Sequence, residues 1–213
     1  MEFFFFYLPI RPQLLDLLNN HEMSHLLCKL QAPSDNRNIV DGKLYKQLHL
    51  STCANSLNLS LTFNCDGVPV FKSSSFSIWP ILCIVNELPP AVRGDYVLMA
   101  GLWYGSGKPN INVFLEPFIE DCTRLTIDGF DWTSTETGVS VHCTASAVVG
   151  VCDAVARPLI QNFKQFNGHY GCGFCLDVGE LVEKGHGHTT VYTSNKDMML
   201  RSMTARGSLY CKM

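Results

Sequence analysis

The chain lacks an excess of basic residues. Its 16 Lys and Arg stand against 19 Asp and Glu, for a formal net charge of −3, which excludes a protein that coats nucleic acid by charge alone. If it touches nucleic acid, another segment supplies most of the grip. It also lacks an apolar run of membrane-spanning length. The N-terminal FFFFYLPI follows Glu2 rather than a basic stretch, and Arg11-Pro12 interrupts it without a small-residue cleavage site, so it is not read as a secretory signal. No phosphate-binding loop is complete either. In GSGKPN, Leu102 stands where the first glycine is required and Pro109 where Ser or Thr would hold magnesium.

Cysteine, by contrast, is plentiful. Most of the ten stand alone in apolar contexts, such as PILCIVN around Cys83 and SVHCTAS around Cys143, where a small buried thiol is the ordinary expectation. That usage points to a reducing compartment, with the protein nuclear or cytoplasmic and not secreted. The Asn58-Leu59-Ser60 glycosylation match then carries no meaning. A length of 213 residues, 46% of them hydrophobic, suffices for one domain with a real core.

Along the chain the texture changes near residue 57. Before it, QLLDLLNNHEMSHLLCKL repeats leucine at helical spacing, the QAPSDNRN stretch is a loop by composition, and DGKLYKQLHL is a short amphipathic piece. After it come three apolar stretches, LNLSLTFNC, FSIWPILCIVNEL and YVLMAGLWYG, bounded by Pro, Gly or Asp, which predict a meander of three strands. NINVFLEPFIEDCTRLTI then places Val113, Phe114, Phe118, Cys122 and Leu125 near one helical face, with Pro117 as a kink or early-turn position. VSVHCTASAVVGVC returns to strand, and ARPLIQNFKQF to helix. Three strands, helix, strand, helix describe an α/β fold with a mixed sheet and flanking helices. The boundaries predicted are a helical segment over 1–56, the α/β core over 57–167, a Cys/His insertion over 168–190 and a remainder over 191–213.

Two aspartates occupy equivalent places. Asp66 follows the first strand of the core and Asp153 the fourth. Carboxylates from strand ends can share divalent cations, and paired magnesium ions about 3.5–4 Å apart stabilise both oxygens of a phosphoryl transfer. Magnesium requires such hard oxygen ligands. The plainer alternative stands beside this one, because CDG is also a turn former and CDAVAR a helix cap.

Longer wording bears on the choice. NCDGVPVFKSSSFSIWPILCIVNELPP, GLWYGSGKPNINVFLEPF, CDAVARP and QFNGHYGCGFC, preceded by YLPIRPQLLDLL, together resemble the catalytic region of CACTA (En/Spm-type) cut-and-paste DNA transposases. The resemblance runs from about Tyr7 to the region of His186 and His188. It implies an RNase H-like fold with a DDE triad, Asp66 matching the first catalytic aspartate and Asp153 the second, both holding Mg2+ or Mn2+. It also implies DNA, the transposon ends, as partner of the full-length enzyme, with self-association open and no membrane. Gly67 would keep the turn tight beside Asp66. Lys72 and Ser73 to Ser75 suit either a DNA phosphate or a polar turn between strands.

The third carboxylate implied by the resemblance lies on a helix well beyond the cysteine motif. After Asp153 the chain offers Asp177, Glu180, Glu183 and Asp197, none in the family's context, and none is assigned. The expectation is a truncated transposase product, a gene-model fragment or a derived remnant, inactive alone. The alternative is a zinc-stapled interaction module without catalysis.

The last motif is YGCGFCLDVGELVEKGHGH, with Cys172 and Cys175 in a C-x-x-C pair followed by His186 and His188. Two thiolates and imidazoles in one loop suit a tetrahedral structural Zn2+. A single residue between the histidines is short for a zinc finger, so one of them can be a bystander, with His169 or Cys211 as a further ligand. A redox pair and unliganded loop cysteines are the alternatives, the glycines beside Cys172 arguing against the helix N-terminus a redox thiol needs. Trp79 and Trp103 are read as core rather than a base-stacking surface, and His142 as a strand histidine with a local partner. Arg157 and Lys164 suit either the DNA backbone or solvent.

Overall fold

The computed structural model describes residues 3–29, 38–48, 56–71, 75–134, 137–193 and 199–201. Lys72, Ser73, Ser74, Asp197 and Cys211 lie outside the described residues. The chain divides into two compact units, Met1–Val151 and Cys152–Met213. In chain order the first contains β1 (Phe3–Tyr7), α1 (Ile10–Asn19), α2 (His21–Lys29), a 3-10 turn (Ile39–Asp41), α3 (Lys43–Leu48), β2 (Ser56–Cys65), β3 (Val68–Pro69), β4 (Phe76–Val85), α4 (Pro90–Arg93), β5 (Leu98–Ser106), α5 (Ile111–Ile127), β6 (Phe130–Thr133) and β7 (Ser140–Val151).

Six strands form one sheet in the order β1-β5-β4-β2-β7-β6, with the short β3 added to β4. The meander predicted from three apolar stretches is present, since β2 pairs antiparallel with β4 and β4 with β5. β7 lies parallel to β2, a pairing that needs a long crossover, here carried by α5. β1 and β6 are antiparallel additions at the two edges.

Alternation along the strands sorts their side chains. In β4, Trp79, Ile81, Cys83 and Val85 are buried while Ile78, Pro80, Leu82 and Ile84 are half-buried, the period of two that a strand imposes. α5 supplies core residues at helical spacing, among them Phe114, Leu115, Phe118, Cys122 and Leu125. The ring of Phe118 lies 5.2 Å from that of Phe63 on β2, and Phe114 meets Phe5 of β1 edge-on at 5.4 Å. Val113, expected on this face, is exposed instead. Pro117 lies inside the helix. Trp79, Trp103, Cys83 and Cys143 are buried as expected, and burial pushes the Cys83 thiol up to about 12, which keeps it protonated and inert.

Buried polar groups tie the elements together. Pro9, before α1, offers no side-chain cap. Asp121 of α5 does that work from a distance of 111 residues, accepting hydrogen bonds from the Ile10 N–H at 2.8 Å and from the Tyr7 hydroxyl. Burial, then this bond to Asp121, raises the Tyr7 phenol above its ordinary range. After β4, Glu87 accepts from the Ser60 N–H at 2.9 Å, the Ser60 hydroxyl at 2.7 Å and the Tyr45 hydroxyl at 2.6 Å. Thr62 donates to Asn86 at 2.7 Å, and Arg93 donates to the Leu88 carbonyl and to Asn38. Thr144 donates to Asn58 at 2.8 Å across the β2–β7 pair, so the glycosylation-like asparagine is held in the sheet by a neighbouring strand.

The second unit contains α6 (Ala156–Ile160), β8 (Glu180–Lys184) and β9 (Gly187–Val191). Its helix is shorter than the ARPLIQNFKQF stretch implied. Beyond Ile160 the chain turns, with Asn162 at φ 54°, a left-handed conformation that ends a helix. β8 and β9 form a two-stranded hairpin, where the cysteine and histidine motif predicts a single loop. Among the described residues, no helix is long and apolar enough to cross a membrane.

Candidate functional site

β2 and β7 give the site its frame. Their parallel register runs to Asn64 opposite Val151, and Asn64 reinforces the end of the pair by donating its Nδ2 to the Val151 carbonyl at 2.8 Å. Asp66 follows Asn64 by two residues in the chain, and Asp153 follows Val151 by two.

Asp66 is half-buried at the turn that leaves β2. Its Oδ1 accepts the Gly67 N–H at 2.8 Å, the local bond expected of a turn former. Gly67 is required for a different reason from the one its place in a turn implied. A Cβ there would stand 2.5 Å from the Trp79 indole, so close packing of the ring excludes any side chain. Trp79 is itself fixed by donating Nε1 to the Ser77 hydroxyl at 3.0 Å.

Pro80 completes this corner. β4 pairs with β2 over Ile81–Val85 and with β3 at Ser77 and Ile78, so Pro80 falls in the gap between the two ladders. Proline lacks an N–H and is tolerated in a sheet only where no ladder bond is required. The position of the break, and hence of Asp66, is thus written into β4 as well as into β2.

Asp153 opens the second unit and is exposed. Its Oδ1 accepts from the N–H groups of Val155 at 2.8 Å and Ala156 at 2.6 Å, and its carbonyl accepts from Arg157 at 3.1 Å. The helix-capping alternative is therefore realised. Both aspartates use Oδ1 locally. Neither Oδ2 takes a hydrogen bond among the described residues.

In the second unit Cys172 and Cys175 are free thiols, Cys175 buried and Cys172 half-buried, and Cys172 accepts the Phe174 N–H at 3.4 Å. Burial acts to raise the Cys172 thiol, but N–H groups of Phe174 and Cys175, the Cys175 thiol and the charge of Arg201 outweigh it, and the net direction is down. Burial raises Cys175. Arg201, which sequence reasoning missed, donates Nε to the Cys172 carbonyl at 2.8 Å and sits over the Phe163 ring at 5.3 Å. Gly171 donates to the Tyr192 hydroxyl at 2.8 Å, which secures the other side of this loop.

The histidines are placed differently. His186 is exposed in the turn of the β8–β9 hairpin, and His188 is exposed on β9 opposite Glu183. Among the described residues no three His, Cys, Asp or Glu side chains converge as a metal-holding group. The two thiols fit half of a tetrahedral zinc site, and the imidazoles do not complete it. Of the acids after Asp153, Asp177 accepts from the Gly179 N–H at 2.8 Å, while Glu180 and Glu183 are exposed on β8. None is marked as a third catalytic carboxylate. His142 has its local partner, with Nδ1 2.8 Å from Asp131 Oδ1. Arg157 is half-buried and Lys164 exposed.

No curated protein shows significant similarity to the chain. The model of a family described as transposase family tnp2 matches residues 28–208, a span that holds β2, β7, both aspartates and the cysteine pair. The chain belongs to that transposase family, and DNA is the substrate its membership implies.

Proposed function

We propose that this chain carries part of the catalytic centre of a CACTA-type cut-and-paste DNA transposase with an RNase H-like DDE core, in which Asp66 and Asp153 are two of the carboxylates that hold divalent metal. The observation that carries this is the parallel β2–β7 register ending at Asn64 and Val151, with an aspartate two residues beyond each. The strand order, an antiparallel meander with a parallel fourth strand beside the first, supports the RNase H-like assignment. Family membership supplies DNA as the substrate.

Bound Mg2+ or Mn2+ would activate the attacking oxygen and neutralise charge on the leaving one. The residues of this chain do the positioning. Trp79 against Gly67, the Ser77 bond and the Pro80 break hold the Asp66 carboxylate at the strand end, and the α6 N–H groups orient Asp153. A third carboxylate completes such a centre, and the nucleophile is water for cleavage and a DNA 3′-hydroxyl for strand transfer. The test is magnesium-dependent nicking of supercoiled DNA. The expected result is nicking that disappears in Asp66→Asn and in Asp153→Asn, and nicking undiminished in both removes the assignment.

A second reading is a zinc-stapled interaction module without catalysis, favoured by the adjacent Cys172 and Cys175 thiols in a loop tied by Arg201. It expects about one zinc per purified chain, reduced in Cys172→Ser, since structural zinc needs its thiolates. Absence of zinc from both proteins rules it out.

A further inference from the structure

The site uses one end of β2, but an uncovered apolar strand lies at the far edge of the same sheet. Among the described residues β1 is the edge strand there, paired with β5 alone. Its residues Phe3, Phe4, Phe5 and Phe6 are 63%, 55%, 36% and 59% exposed. An edge strand carries a row of unpaired N–H and C=O groups, and proteins ordinarily protect such an edge with Lys, Pro, a bulge or a covering element. β1 has no Lys, Pro or bulge, and among the described residues no further strand pairs with its outer edge. Its register with β5 runs unbroken from Phe3 opposite Gly105 to Tyr7 opposite Gly101, and FFFFY contains neither charge nor proline.

Both faces of the strand end in unfinished packing. On one face the rings of Phe76, Tyr104 and Phe4 step across β4, β5 and β1 at 5.5 Å and 6.4 Å, with interplanar angles of 16° and 27°. This ladder stops at the edge. On the other face Phe3 and Phe5 border an apolar groove of about 270 Å³, closed by Trp103, Pro109, Val113 and Phe114.

We propose that β1 is a self-association edge, pairing antiparallel with β1 of a second copy of this chain about a two-fold axis. The partner is identified by symmetry of chemistry. In the antiparallel register that sets Phe3 opposite Phe6 of the second copy and Phe4 opposite Phe5, all four phenylalanines meet phenylalanine, so the patch is complementary to itself, as a two-fold interface requires. Such pairing satisfies the edge N–H and C=O groups, continues the Phe4 ladder with the partner's rings, and offers the groove a ring from the other copy. A whole Phe side chain buries 150–250 Å², so the four rings leave roughly 400 Å² in water. Leu8 and Val113, also exposed, and the edge backbone enlarge the patch, which makes a small interface beside the roughly 800 Å² per partner of a standard one.

Sedimentation equilibrium of the full chain over a concentration series tests this. The expected result is a monomer–dimer equilibrium, ending at twice the 23.8 kDa chain mass, with association weakened at least about a hundredfold in Phe4→Lys/Phe6→Lys. Ile127→Lys, which removes an exposed apolar residue at the end of α5, should leave the dimer intact. A monomer at every concentration, an open-ended aggregate, or a dimer that survives the lysines overturns the proposal, as does equal loss in Ile127→Lys. Hydrogen exchange on the unmodified chain gives a check free of folding defects. The β1 amides that point away from β5 should exchange more slowly at dimer-forming concentration, and equal exchange at both concentrations contradicts the edge pairing.

Discussion

At the scale of single residues, Gly67 shows how a catalytic-looking motif is fixed by packing. An aspartate followed by glycine reads as a turn, and the backbone does turn there. The demand on Gly67 nonetheless comes from the Trp79 ring, at 2.5 Å from where a Cβ would stand. That demand was illegible in the sequence because Trp79 is twelve residues on, and only the β3–β4 pairing folds it back. Gly67→Ala is expected to destabilise the chain by about 1–3 kcal/mol, the usual range for an overpacked site, measured by urea denaturation. Gly94→Ala, whose Cβ would meet nothing within 4 Å, should be near neutral. Equal effects of the two substitutions would remove the packing explanation.

Asp153 teaches the converse. Its local role as a cap was readable from CDAVAR and is realised in two N–H bonds, yet capping does not exclude ligation, since one carboxylate oxygen is bonded and the other takes no hydrogen bond among the described residues. The Cys172 and Cys175 pair was equally readable as a pair. The hairpin that carries His186 and His188 was not readable from spacing, because Gly185, at φ 61°, sets up the β8–β9 turn and leaves both imidazoles on an exposed turn and strand. A motif counts residues along the chain, whereas a hairpin sends them in directions that counting does not give.

Among elements, α1 depends on α5 for its start. Nothing in YLPIRPQLL provides a capping side chain, and the helix is legible only from its leucine spacing. Asp121 provides the cap, and with it a polar link from α5 to both β1 and α1. Asp121→Ala leaves the buried Ile10 N–H and the half-buried Tyr7 hydroxyl without their acceptor. The expected loss is about 2–3 kcal/mol of unfolding free energy, the upper part of the penalty for stranding a buried donor, read by chemical denaturation. A loss below about 0.5 kcal/mol, the scatter of ordinary surface substitutions, would show that water takes over the bonds. The meander of β2, β4 and β5 was legible because alternation and turn residues are local signals. β1 and β6 were not, because FFFFY has no alternation to read and FDWT is four residues long.

Across the whole molecule, a mildly acidic chain belongs to a DNA transposase family without a general basic surface to grip its substrate. On the proposed reading the chemistry sits where the parallel β2–β7 pair ends, beside Trp79, Ser77 and Pro80, and the grip on DNA would fall to charge outside this sheet. Dimerisation along β1 would leave the β2 and β7 strand ends clear, since three strands separate β1 from β7 in the sheet order. The central claim is that Asp66 and Asp153 hold metal. Mn2+ binding to the chain, followed by electron paramagnetic resonance of the free ion, tests it most directly. The expected result is a saturable site of millimolar or tighter affinity that is lost in Asp66→Asn and equally lost in Asp153→Asn, with folding intact by circular dichroism. Binding that persists unchanged in either variant would contradict a shared metal centre, and the two aspartates would then be a turn former and a helix cap alone.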